Sequence, residues 1–161
     1  MKSTGITISY NTSIDYLRHL EDAYLIFSIS NYSDKLSEKE RIKKRYFYDN
    51  GFLNNVLFNP ETKLLDNLVA ITLKQRYGDD VFYYNRNVEV DFFMPNAKIA
   101  IQASYSLTAE DTLTREVRAL AKLATEYSIA DLTIVTWSEE RTITDNNATI
   151  KVVPLWKWLL K

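Results

Sequence analysis

Two short segments hold residue types that could do hydrolytic chemistry. In Glu89-Val90-Asp91, strand alternation puts Glu89 and Asp91 on one face, opposite Val90 and Phe92. The same rule puts Gln102 and Ser104 on one face of Ile101-Gln102-Ala103-Ser104, with Ile101 and Ala103 on the other. If the two strands are neighbours, a carboxylate, a carboxamide oxygen and a hydroxyl converge. A hard cation such as Mg²⁺ selects such an oxygen-only set and keeps several waters. A carboxylate on a strand face is more often solvated or paired than metal-bound, so spacing by itself leaves both readings open.

Composition removes several other chemistries. The chain has no cysteine, which excludes disulfides, thiolate zinc sites and a cysteine nucleophile. Its single histidine, His19, is placed on an exposed helix, so Ser104 has no imidazole to activate it as a nucleophile. None of the three glycines, Gly5, Gly51 and Gly78, opens the Gly-x-x-x-x-Gly-Lys loop that wraps a phosphate, and the chain alone is no P-loop ATPase. A net charge of −1 gives no global cationic field, so contact with DNA must come from a local patch. Two patches qualify. One is the run Lys39, Arg41, Lys43, Lys44 and Arg45 beside Tyr46 and Phe47, where cations could hold phosphates while rings stack on bases; Glu38 and Glu40 make a solvated loop the alternative. The other is Arg115, Arg118 and Lys122 on one side of a helix, with pairing to Glu116 as its alternative. The longest apolar run is far short of a membrane span, and Met1 to Thr4 leads into alternating residues rather than a signal peptide, so a cytoplasmic protein with no membrane partner is expected.

The elements that must position these residues follow from periodicity. With 161 residues, 46% of them apolar, the chain can bury one compact core with an appendage. Ile6, Ile8 and Tyr10 alternate as in a strand; Asn11-Thr12 caps a helix over about 12–22; Ala23 to Ser30 reads as a strand. Residues 31–44 are polar, without apolar period, and read as a linker. Arg45 to Tyr48 reads as a buried strand ending in an Asp49-Asn50-Gly51 turn in which the glycine can adopt positive φ, followed by a helical turn through Phe52, Leu53, Val56 and Leu57. Asn59-Pro60-Glu61 starts a helix to about Tyr77 that Gly78 stops. Strands are expected at 81–84, 88–94 and 98–105. A capping box at Thr108 to Asp111 opens a helix to about Tyr127. Two strands, 132–137 and 149–153, and a short helix through Trp158 close the chain. Tyr83, Tyr84 and Tyr105 are read as packing the sheet, and of Trp156 and Trp158 one is placed in the core and the other outside. The order helix, three strands, helix, two strands, helix predicts an α/β fold, a mixed sheet flanked by helices.

Five ordered segments carry a resemblance: Arg45-Tyr46-Phe47-Tyr48-Asp49-Asn50-Gly51-Phe52, Leu65-Asp66-Asn67-Leu68-Val69-Ala70, Tyr83-Tyr84-Asn85-Arg86, Glu89-Val90-Asp91-Phe92 and Ile101-Gln102-Ala103-Ser104-Tyr105-Ser106, together with the closing Val153-Pro154-Leu155-Trp156-Lys157-Trp158. The chain resembles the C-terminal domain of AAA+-type ATPases of bacteria and archaea, a domain similar to restriction endonucleases of the PD-(D/E)XK type. The resemblance implies a restriction-endonuclease-like domain over 45–161, a linker over 31–44 and, over 1–30, part of a winged-helix segment, so the chain is expected to be a fragment whose ATPase module is missing. It maps the helix acid of the nuclease site onto Asp66, the strand aspartate onto Asp91, and the acid-x-lysine motif onto Gln102-Ala103-Ser104. It therefore implies Mg²⁺ or Mn²⁺ as cofactor, held by Asp66, Asp91 and Gln102, with Ser104 where a lysine would assist water attack. Glutamine brings no negative charge, serine no ammonium, and Asp66 is one methylene shorter than the usual glutamate, so the site is expected to be degenerate. A non-catalytic nuclease-like domain for DNA binding or domain interaction is the leading expectation, with contacts from Lys43, Lys44, Arg115, Arg118 and Lys122. An active Mg²⁺- or Mn²⁺-dependent DNA nuclease and a pure protein-docking domain are the alternatives.

Overall fold

A computed structural model describes residues 9–32, 42–145 and 148–160. In chain order the elements are α1 (Tyr10–Asp22), β1 (Ile26–Ser30), β2 (Lys43–Phe47), α2 (Asn50–Val56), α3 (Glu61–Tyr77), β3 (Phe82–Asn85), β4 (Glu89–Met94), β5 (Ile99–Ala103), α4 (Glu110–Tyr127), β6 (Asp131–Thr136), β7 (Arg141–Asp145), β8 (Ala148–Pro154) and α5 (Leu155–Leu159). Six strands form one mixed sheet in the order β3-β4-β5-β6-β8-β7, parallel at β5-β6-β8 and antiparallel at both ends. The expected α/β class, a mixed sheet flanked by helices, is what the structure shows. Among the described residues no helix is long and apolar enough to cross a membrane.

Two apolar layers cover the sheet, each filled by alternate strand residues. On one face, Leu65, Val69, Ala70 and Leu73 of α3 pack against Phe92, Met94, Ile101, Val135 and Val153, joined by Leu155 and Trp158 of α5. On the other, Val117, Leu120 and Leu123 of α4 pack against Val90, Phe93, Ala100, Ile134 and Val152. Removing each of the larger of these side chains from water contributes roughly 1.5–3 kcal/mol, and this fixes which way every strand faces. β1 and β2 form a separate antiparallel pair with Ile29 opposite Lys44, and Phe27, Ile29 and Tyr46 join the α3 layer. The two sides of the boundary expected at residue 30 thus share one small sheet and one core.

Several local expectations are corrected. The cap of α1 is Ser9, whose Oγ accepts the Thr12 N–H at 3.1 Å, rather than Asn11-Thr12, and β1 starts only at Ile26, after Tyr24 turns the chain at φ 55°. The expected strand around Ile6 to Tyr10 and the linker residues Lys39 and Arg41 lie outside the described residues, apart from Tyr10, which begins α1. β2 begins at Lys43, so the last two linker residues are strand, and Tyr46 alone of β2 is buried. Asp49-Asn50-Gly51 is a helix start rather than a turn. Asp49 caps α2 by accepting the Gly51 N–H at 2.5 Å, Gly51 does not have positive φ, and a Cβ there would lie 2.8 Å from Asp49 Oδ1, an approach that a shift of the Asp49 carboxylate would relieve. Thr108 does not cap α4, whose N-terminus has no side-chain cap; its hydroxyl meets Ser106 instead. Strand β7 escaped the sequence reading because this edge strand carries Ile143 as its one aliphatic residue and exposes most of the rest.

Candidate functional site

The β4 strand does not run regularly through Asp91. It pairs Phe82 with Phe93 but Tyr84 with Val90, so Asp91 and Phe92 together oppose Tyr83. Such a bulge adds one residue and redirects the side chains around it. Val90 consequently packs in the α4 layer and Phe92 in the α3 layer, which corrects the expectation that they share a face. Glu89 and Asp91 do meet on the same side, and what joins them is Lys44 from β2: its Nζ lies 2.8 Å from Glu89 Oε1 and 3.2 Å from Asp91 Oδ1. The other oxygen of Asp91, Oδ2, accepts the Ala103 N–H of β5 at 3.1 Å.

Past Phe92 and Ile101, β4 and β5 stop pairing backbone to backbone. The Gln102 carboxamide fills the gap. Its Oε1 accepts the Asp91 N–H at 2.8 Å and its Nε2 donates to the Glu89 carbonyl at 3.0 Å, so the side chain replaces a stretch of ladder. Gln102 is only 2% exposed. The Ser104 hydroxyl is buried and donates to the Ser106 carbonyl at 3.1 Å, which ties down the loop leaving β5.

Asp66 reaches the same cleft from α3. Its Oδ1 is buried without a hydrogen-bond partner, and burial, reinforced by the charge of Asp91, raises its carboxyl to about 7, against the opposing pull of Lys44 and Lys63. Lys44 also shifts upwards, which for a lysine favours the charged form: burial disfavours its charge, but Asp91 and Glu89 outweigh that and hold the ammonium pKa above its ordinary value. Glu116 of α4, 7% exposed, brings a fourth carboxyl, raised by burial and partly restrained by Arg115, whose Nη2 is 2.7 Å from Glu116 Oε1. The cleft between these elements encloses about 830 Å³, and Arg115 and Arg118 stand at its α4 side. A smaller hollow of about 460 Å³, reached past Lys44 and Tyr46, shares Asp66, Glu89 and Asp91 with it.

The structure therefore brings Asp66, Asp91, Gln102 and Ser104 to one cleft, and it also brings two groups to which the sequence reading gave other roles. Lys44 was read as a phosphate contact; alternation from the buried Tyr46 two residues on would have pointed it inward. Glu116 was read as a surface partner, although it lies three after Leu113 and four before Leu120, beside the apolar stripe of α4. Arg118 and Lys122 are exposed on α4, and Lys43 is half-buried on β2.

These residues do not fit a resident divalent ion. The ammonium of Lys44 already sits on both β4 carboxylates, and the Gln102 carboxamide is engaged at both ends by the β4 backbone. Among the described residues no group of three or more aspartate, glutamate, histidine or cysteine side chains could hold a metal.

Fold and cleft thus define a mixed α/β domain with a carboxylate-lined cleft, two of whose carboxylates, Glu89 and Asp91, are paired with a lysine. Residues 2–63 match a family described as a domain of unknown function, DUF8612, a match that includes Lys44 and stops short of Asp66. An uncharacterized protein of Methanocaldococcus jannaschii is 32% identical over 172 residues, an alignment covering 99% of this chain and 38% of that protein. The chain accordingly spans well under half the length of this relative. No solved structure matches it.

Proposed function

We propose that this chain is a nuclease-like domain that does not cleave and that serves a larger protein, with an ATPase module as the expected companion, by binding DNA. The observation that carries the reading is the Lys44 ammonium between Glu89 and Asp91. A metal-dependent phosphodiesterase needs those carboxylates for the ion that polarises the phosphate and acidifies water. Engaged by Lys44 and by the Ala103 N–H, Asp91 is turned to structure. The exposed cations Arg115 and Arg118 at the cleft, with Lys122 a turn further along α4, support a phosphate contact, since helix geometry sets them three and four residues apart on one side. Domain interaction is favoured by a different surface: α2 buries no residue, and Phe52, Val56 and Phe58 stand exposed, Phe58 at 98%.

The test is incubation with supercoiled plasmid in Mn²⁺ beside an Asp91→Ala control, and duplex binding over a salt series. The expected result is no nicking, with binding that weakens steeply as salt rises; Arg118→Ala should lower the slope of log affinity on log salt by about one. Nicking that Asp91→Ala abolishes would establish the active nuclease instead. Absence of salt-dependent binding would leave docking as the function.

A further inference from the structure

We infer that Lys44 is a tethered replacement for a divalent cation, and that neutralising this one side chain converts the cleft into a Mg²⁺ or Mn²⁺ site. The inference rests on the nuclease-like reading only for the expectation that an ion belongs there; the geometry stands independently. Lys44 is not a wandering surface lysine. Its backbone is fixed in the β1–β2 ladder opposite Ile29, its side chain is 28% exposed, and its ammonium lies 5.3 Å from the centre of the Tyr83 ring. Within that cage Nζ contacts one oxygen each of Glu89 and Asp91, as a bridging ion would.

Charge and coordination explain why the two cations exclude each other. An ammonium offers three N–H donors and one charge, and it needs neither a full ligand set nor bound water. A divalent ion at the same carboxylates would face the Lys44 charge within a few ångströms in a half-buried cleft, where screening is weak. Without that charge, Glu89 and Asp91 lose their counter-ion while the unpartnered Asp66 Oδ1 remains on the same hollow. Mg²⁺ keeps several of its waters and takes one or two carboxylates from a protein, and this cleft has room for those waters.

The experiment is Mn²⁺ binding by titration calorimetry, without DNA, on wild type, Lys44→Gln and Lys44→Gln/Asp91→Asn. Wild type should bind weakly, Lys44→Gln at least tenfold more tightly, and the double variant should return to the wild-type level. Equal binding by wild type and Lys44→Gln, or a gain that survives Asp91→Asn, overturns the inference. If Lys44→Gln is unfolded without metal, recovery of its circular dichroism in millimolar Mn²⁺ supports the inference and failure to recover overturns it. Because no nucleic acid is present, failure here leaves the DNA-binding reading standing, and failure of DNA binding leaves this result intact.

Discussion

Gln102→Glu separates a structural glutamine from a lapsed metal ligand. In the nuclease resemblance an acid belongs at this position, so the substitution would restore the motif. In the structure it should instead damage the fold. Gln102 Nε2 donates to the Glu89 carbonyl at 3.0 Å, and a carboxylate oxygen placed there would face another acceptor with no proton between them. Loss of one buried partner costs about 1–3 kcal/mol, and breaking a buried pair so that a charge is left unpaired about 3–5 kcal/mol. The surviving bond from the Asp91 N–H offsets part of this, so a net loss of about 3 kcal/mol at pH 8 is expected, below the sum of the two terms. The pH dependence has a definite sign. Burial and the nearby Asp91 charge raise the new carboxyl group's pKa in the folded state, so its penalty is full above that pKa and fades as pH falls towards the unfolded value of about 4.3. Once protonated, the group can again donate to the Glu89 carbonyl. Urea unfolding of wild type and Gln102→Glu, followed by tryptophan fluorescence at pH 8 and pH 5, reads both effects. A variant as stable as wild type at pH 8, or a deficit that grows on acidification, would refute the reasoning, and stabilisation by Mg²⁺ would show the carboxylate to be a ligand.

Two further outcomes follow from burial. Asp66, raised from 3.8 to about 7, destabilises the fold when ionised: the penalty is absent below pH 3.8, grows towards pH 7 and is constant above it. Asp66→Asn should therefore stabilise the protein at pH 8, by an upper bound of about 4 kcal/mol, and leave it nearly unchanged at pH 4, as measured by urea unfolding at both; an equal gain at the two pH values would contradict the assignment. Trp158, buried in the α3 layer with Arg76 5.0 Å from its ring, should lose about 3–5 kcal/mol on substitution by alanine, whereas Trp156, 61% exposed, should change stability by about 0.5 kcal/mol or less, and thermal unfolding that ranked them the other way would show α5 to be misoriented.

Much of the fold was legible because it depends on local pattern. The α3 helix appears at Glu61–Tyr77 as its apolar stripe and Gly78 stop require, and strands β3, β4 and β5 differ from expectation by a residue or two at their ends. The tryptophan pair divides into one buried and one exposed residue, as two positions two apart on a helix must. The apolar face of α1 was read as helical, yet Tyr16 and Leu20 stay exposed, since periodicity predicts a helix and not what covers it.

By itself, then, the sequence determined the α/β class, the helix and strand periods, and the candidates Asp91, Gln102 and Ser104, because residue type and spacing are one-dimensional properties; Asp66 became a candidate only through the family resemblance. Only the tertiary structure decided what those groups do. The bulge at Asp91 depends on the register of β4 against β3, and the engagement of Gln102 depends on where β4 and β5 part. Lys44 reaches Asp91 across 47 residues of chain, because burial of Tyr46 and Ile29 seats β2 over the cleft. No local pattern specifies such a contact; it arises when separate apolar faces close on one core and bring their charged neighbours together.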